Sequence, residues 1–343
     1  MLELKNILVP TDFSDFSLQA IPVAWELARE YKAEIILANA CPYECDLEVS
    51  RRKLEEIGQR LAPLPYQTRI EVASPVGFLY DLASSLEQAL MIVTTHAWRG
   101  TDRRLLGSVT ERVISRVPCA ILTLKSQRTM VREIEKSPEP LPNLAEVRGP
   151  ELRQVPKSPD DFFFERLDRK LVAASRAAAQ KEKEARHGRQ THVIELRSLL
   201  VPVDFSRRAE QAVVVGVALA RRYGAKLILL HVLEERSGGR GRPLREARRR
   251  EVARAQLEAL RDRLVPVPCV CLVEGGSAAA VIVEQTERQE IDLVVMGSRG
   301  RRTVVGIPLG STARVVVRRA DSAVLILKGP NATELVRKTP KSS

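Results

Sequence analysis

Aromatic residues make up only 4% of the 343 residues, histidine occurs four times and cysteine five times. The longest apolar runs, such as Ile35 to Ala38 and Val213 to Leu219, fall far short of the roughly 20 residues a bilayer span requires. No membrane-spanning helix is therefore expected. The first residues, Met1 to Asn6, carry no basic stretch, apolar stretch or small-residue cleavage site, and the chain reads as cytosolic. Five cysteines are an odd number for a disulfide framework, and Cys119, Cys269 and Cys271 fall in strand-like runs where a small apolar residue belongs. Cys41 and Cys45 have spacing nearer to a metal site, but no histidine or second cysteine pair accompanies them, so packing is the preferred reading. The devices of a hydrolase are missing too: there is no G-x-x-x-x-G-K-S/T and no G-x-S-x-G, and the histidines at 96, 187, 192 and 231 belong to no Ser-His-Asp set. The reading is of a protein that is not an enzyme.

What the chain does have is an ordinary globular balance, 44% hydrophobic and 29% charged, which excludes wholesale disorder or a collagen-like fibre. Its length suggests two domains with some chain left over. The net charge of +12 favours polyanions without choosing among nucleotide, nucleic acid and anionic lipid.

The chain is a repeat. "ILVPTDFS" from Ile7 returns as "LLVPVDFS" from Leu199, and "REYKAEIILANA" from Arg29 returns as "RRYGAKLILLHV" from Arg221, both 192 positions later. "LLGSVTERVISRVPCAILTLK" from Leu105 matches "PLGSTARVVVRRADSAVLILK" from Pro308 at an offset of 203. Two homologous domains follow, 1–126 and 195–329, with a linker at 127–194 and a tail at 330–343. Short Val/Ile/Leu runs alternate with helical periodicity, so each domain is expected to be a three-layer α/β unit, a five-stranded parallel sheet with helices on both faces. In the second copy strands are predicted at 198–203, 226–232, 269–273, 292–296 and 323–328. A helix opens at Ser206 as N-cap and stops at Gly224. In the first copy Pro22 should kink or shorten the corresponding helix. Ligands of such sheets bind beyond the carboxyl ends of the strands where strand order reverses, which points to the loops after strands one and four.

After strand four of the second copy, Gly297, Gly300, Gly310 and Ser311 form G-x-x-G followed by nine residues and G-S. With "VPVDFS" after strand one and "HV" (His231, Val232) after strand two, this resembles the ATP-binding branch of the universal stress protein family. The likeness extends over both repeats. Read from the residues, Gly297 and Gly300 let backbone approach a phosphate chain and tolerate positive φ. Gly310, Ser311 and Thr312 open the last helix, whose amides and dipole favour an anion, and Arg299, Arg301 and Arg302 add positive charge. The resemblance implies a Rossmann-like fold and ATP or ADP as ligand, with Mg2+ carried by the phosphates. It further implies that Asp204, after Pro202 and Val203, meets the ribose end, and that Val203, Val232 and Met296 wall the adenine.

The first copy keeps Asp12 and the helix opening, but Thr94 and Ala97 replace the two loop glycines, Trp98 adds bulk and Gly100 is out of register. It is expected to bind nucleotide poorly or not at all. His96 reads as a surface loop residue. Family members commonly pair along their last strands, which here means Cys119 to Leu124 against Ala323 to Lys328, within one chain or between two.

Two parts have no repeat partner. Within the linker, residues 160–186 have an Asp start and apolar positions at Phe163, Leu167, Leu171, Ala174 and Ala178, an amphipathic helix whose Phe162 to Phe164 would dock on a domain or partner. A membrane-surface helix is the less favoured alternative, given Asp160, Asp161, Glu165 and Asp168. From Arg236 to Arg263 there are ten Arg against four acidic residues. No aromatic is interleaved there, so a solvated basic helix or a contact to an acidic partner is preferred over nucleic acid. The expected function is nucleotide-gated binding of a protein partner in a stress response. A nucleotide-independent adaptor and a slow ATPase are the alternatives.

Overall fold

The computed structural model describes residues 3–41, 43–95, 107–125, 194–234, 242–264, 267–300 and 309–328. The chain divides into one unit of Met1–Thr129 with Leu196–Ser343 and another of Met130–Glu195. The helix expected at 160–186, the loop residues His96, Ala97, Trp98, Gly100, Arg301 and Arg302, and the 330–343 segment lie outside the described residues.

The first half runs β1 (Asn6–Pro10), α1 (Ala20–Tyr31), β2 (Glu34–Cys41), α2 (Leu47–Gln59), β3 (Tyr66–Val72), α3 (Pro75–Ser85), β4 (Ala89–Thr95), α4 (Ser108–Arg116) and β5 (Ala120–Lys125). The second runs β6 (Ser198–Pro202), α5 (Arg207–Tyr223), β7 (Lys226–Leu233), α6 (Arg242–Asp262), β8 (Cys269–Gly275), α7 (Ala278–Arg288), β9 (Leu293–Gly297), α8 (Ser311–Arg319) and β10 (Ala323–Leu327). The predicted strands of the second copy are all present, with ends shifted by one or two residues.

All ten strands join one sheet in the order β3-β2-β1-β4-β5-β10-β9-β6-β7-β8. Each half is parallel, and the seam between them, β5 against β10, is antiparallel, pairing Thr123 with Val324, Leu122 with Leu325 and Ile121 with Ile326. The pairing of last strands is thus made within the chain. Thr123 Oγ1 adds a bond to Val324 O at 3.2 Å. Because the seam is antiparallel, the carboxyl ends of the two parallel halves point in opposite directions. Strand order reverses between β1 and β4 and again between β6 and β9.

Strands so apolar need cover on both faces. Helices α1 and α2 lie on β1, β2 and β3, and α5 and α6 lie on β6, β7, β8 and β9. On the other face α3 packs with α4 and α7 with α8, over a core that crosses the seam from Leu8, Met91 and Ile121 to Ile326, Val294 and Leu200.

The repeat persists down to backbone conformation. Phe13 and Phe205, equivalent positions, both have left-handed φ, 63° and 57°. Gly224 ends α5 at φ 65° as expected, and Lys32 holds the same αL place after α1 at φ 55°. Helix α1 is the shorter of the pair, 12 residues against 17. It begins only at Ala20, so that Pro22 sits in the first turn, where its missing N–H is not needed.

Candidate functional site

Strand β6 gives way to Val203, Asp204, Phe205 and Ser206, and local bonds fix this turn. Val203 N donates to Leu230 O at 2.8 Å, Ser206 N donates to Asp204 Oδ1 at 3.0 Å, and Ala209 N donates to Ser206 Oγ at 3.3 Å. Ser206 is therefore the side-chain N-cap of α5. His231 near the end of β7 has Nδ1 2.7 Å from Val203 O. A carbonyl only accepts, so Nδ1 carries a proton. The Phe205 ring lies 4.8 Å from the His231 ring, centroid to centroid. The ends of β6 and β7 and the start of α5 are thereby pinned to one another.

Strand β9 ends in Met296 and Gly297. Ser298 N donates to Leu327 O at 3.0 Å and Ser298 O accepts from Gly310 N at 2.8 Å, which brings the end of β9 against the start of α8. Space is tight at both loop glycines. A Cβ at Gly297 would stand 2.9 Å from Arg208 Cβ, and one at Gly300 would stand 3.0 Å from Asp204 Oδ2. The expected role of positive φ is corrected: among the described glycines only Gly224 and Gly276 have it. Crowding by a side chain of α5 and by the β6 carboxylate replaces conformational freedom as the reason for glycine.

Gly310 is the N-cap residue of α8 and makes no side-chain cap, so the first amides of the helix lack intrahelical partners. Arg208 Nη1 donates to Ser298 Oγ at 3.2 Å. Burial, and then the Arg299 charge, press the Arg208 guanidinium below its ordinary value. Arg299 Nε is buried with no hydrogen-bond partner among the described residues.

These elements enclose a cavity of about 600 Å³. Pro202, Val203, Asp204, Val232, Met296, Gly297, Arg299, Gly300, Gly310, Ser311 and Thr312, all anticipated from sequence, line it together. Sequence reasoning missed Arg249 of α6, Ala278 and Ile282 of α7, and Glu234 beyond β7, which line it as well. Arg250, the neighbour of Arg249, ties α6 to the sheet by donating from Nη1 to Val273 O at 2.6 Å. No local motif marks these residues; the signal was only the run of arginines.

At the equivalent place in the first half, Asn39 Nδ2 donates to Thr11 O at 2.8 Å, the counterpart of the His231 bond. Asp12 Oδ1 accepts from Ser14 N at 3.0 Å and Ser14 Oγ at 2.5 Å. Burial alone would raise the Asp12 carboxyl, but these bonds outweigh it and hold the group below its usual range. Ser14 Oγ also accepts from Ser17 N at 3.2 Å, the counterpart of the Ser206 cap, but here it closes a short 3-10 turn, Ser17–Gln19, ahead of α1. Thr94, in the place of Gly297, ends as a half-buried side chain in β4.

Elsewhere, Cys41 is buried at the end of β2 and donates to Asn39 Oδ1 at 3.2 Å, whereas Cys45 is exposed. Burial pushes the Cys119 thiol up to about 12. Among the described residues no group of three or more His, Cys, Asp or Glu could hold a metal ion, and no helix is long and apolar enough to cross a membrane.

The model of the universal stress protein family matches residues 3–125 and again 195–328. A universal stress protein of Thermus aquaticus is 32% identical over 136 residues, 38% of this chain and 98% of that protein. A universal stress protein of Mycobacterium bovis is 22% identical over 322 residues, 94% of this chain and 85% of that protein. The crystal structure of a universal stress protein from Archaeoglobus fulgidus aligns over 96% of this chain and 98% of its own with a TM-score of 0.56 at 17% identity, a likeness of fold. A tandem repeat of this α/β unit, matched in both copies, makes the chain a member of the universal stress protein family.

Proposed function

We propose that the protein binds an adenine nucleotide, ATP or ADP, in the cavity of its second half, and that occupancy of this site governs its contact with a protein partner in a stress response. The observation that carries the reading is the ledge at the end of β9. Its backbone passes so close to Arg208 that a side chain at 297 would displace it and so close to Asp204 that one at 300 would press on the carboxylate, and it faces the uncapped first turn of α8. Unpaired amides at a helix start, backed by arginine, suit a phosphate chain. The apolar surfaces of Val203, Val232, Met296 and Ile282 suit a base. Helix α8 supplies a route for gating. Its first residues line the cavity, and near its last turn Val317 O accepts from Lys125 Nζ of the first half. Gating further requires that nucleotide favour one of two states of the protein.

Calorimetric titration of nucleotide-stripped, full-length protein with ATP tests this. One site per chain is expected. Gly300→Val is expected to abolish binding, because its Cβ would meet the Asp204 carboxylate. Two sites per chain would overturn the silent first half, and no binding at millimolar ATP would overturn the reading and favour the adaptor.

A further inference from the structure

We propose that Arg208 and Arg299 take the place of a divalent cation at this ledge, so that the site binds the polyphosphate chain of a nucleotide free of metal. The inference rests on the nucleotide reading above and concerns what neutralises the phosphates. Arg208 is the second residue of α5, and its Cβ lies against Gly297. From there its guanidinium reaches Ser298 Oγ, and Ser298 is only 1% exposed. Ser298 O in turn accepts from Gly310 N, so the Arg208 head group is anchored beside the opening of α8. Arg299, the next residue, lines the cavity with its Nε buried and without a partner among the described residues.

Like charges are gathered here rather than spread. The Arg299 charge disfavours the protonated forms of both Arg208 and Lys328, although in each case burial is the larger cause. Two guanidiniums within electrostatic reach of one another destabilise an empty site and favour an anion between them. Among the described residues the carboxylates lining the cavity are Asp204 and Glu234, and Asp204 Oδ1 already accepts the Ser206 amide. Mg2+ takes near-octahedral oxygens, keeps several waters and leans on one or two carboxylates besides the phosphates. A hydrated dication would therefore enter the field of two guanidiniums, with one of the two lining carboxylates already engaged. Guanidinium forks can instead meet phosphate oxygens directly. The residues present suit the nucleotide and do not suit the expected Mg2+.

The test is titration of full-length, nucleotide-stripped protein with ATP in excess EDTA and again in excess Mg2+. Binding in EDTA is expected to be at least as tight as in Mg2+, and to weaken from ATP to ADP to AMP. Arg208→Gln is expected to weaken metal-free ATP about tenfold, the scale of one charge-assisted contact, while leaving adenosine unchanged. Binding in Mg2+ that weakens tenfold or more in EDTA would overturn the proposal and leave the nucleotide reading standing. Absence of binding in both conditions would overturn the nucleotide reading itself. The wild-type comparison needs no variant, so a misfolded Arg208→Gln does not decide the outcome.

Discussion

At the scale of single residues, His231 and Asn39 do the same work with different chemistry. Each holds the carbonyl that follows the first strand of its half, Val203 O at 2.7 Å and Thr11 O at 2.8 Å. His231→Asn is therefore expected to fold with little loss. His231→Leu leaves the Val203 carbonyl without its ring partner and should cost about 1–3 kcal/mol, read as a lower denaturant midpoint at unchanged slope. Equal losses for both variants would show that ring packing on Phe205, and not the hydrogen bond, is what matters. Asp204 and Asp12 are a second such pair. Their equivalence is plain in the sequence, but the pull of Ser14 Oγ on Asp12 is visible only in the folded turn.

At the scale of elements, the ends of α5 were readable in advance because capping is local chemistry. Ser206 accepts the Ala209 amide and Gly224 adopts the left-handed conformation, both where a hydroxyl and a glycine flank an apolar period. Ser206→Ala is expected to lower stability by about 1 kcal/mol, measured by thermal unfolding, since α5 loses its cap. Ser14→Ala removes the acceptor of the Ser17 amide and also releases Asp12, so relative to wild type it should flatten the loss of stability at acid pH. The sign follows from the lowered Asp12 carboxyl: the stability it adds is present above its unfolded value and is lost as pH falls through the folded one. Helix α6 was legible as a basic helix, yet its part in the cavity was not. Arg249 and Arg250 are two letters in an arginine run, and only packing against β8 sends one to the sheet and the other to the site.

At the scale of the whole molecule, the seam is a reciprocal exchange. Lys125 Nζ donates to Val317 O near the end of α8, and Lys328 Nζ donates to Ile114 O and, at 3.3 Å, to Val117 O at the end of α4. Both lysines are buried, and burial lowers each ammonium to about 8 from 10.5, with Asp321 opposing the change at Lys125. For Lys125 the sign is therefore set. Below about pH 8 folded and unfolded chains both carry the proton, and the cost of the buried charge is fully present. Between about 8 and 10.5 the unfolded chain binds the extra proton, so stability rises with pH. Comparing wild type with Lys125→Met by denaturant unfolding across that window isolates this group from Cys119, whose raised thiol acts in the opposite sense. Wild type is expected to gain on the variant by up to about 3 kcal/mol as pH rises. A constant difference would mean that Lys125 is not a buried ammonium.

By itself the sequence determined the repeat, the order of strands and helices, the caps of α5 and the spacing of glycines, because these depend on neighbours a few residues away. Tertiary structure decided the rest. That β5 pairs with β10 inside one chain, that a single core crosses the seam, and that Gly297 and Gly300 lie where space is tight and not at positive φ are outcomes of contacts between segments far apart in sequence. The same holds for the Arg208 and Arg299 pair. One residue belongs to the helix after β6 and the other to the loop after β9, and only the parallel pairing of those two strands sets their side chains on the same ledge.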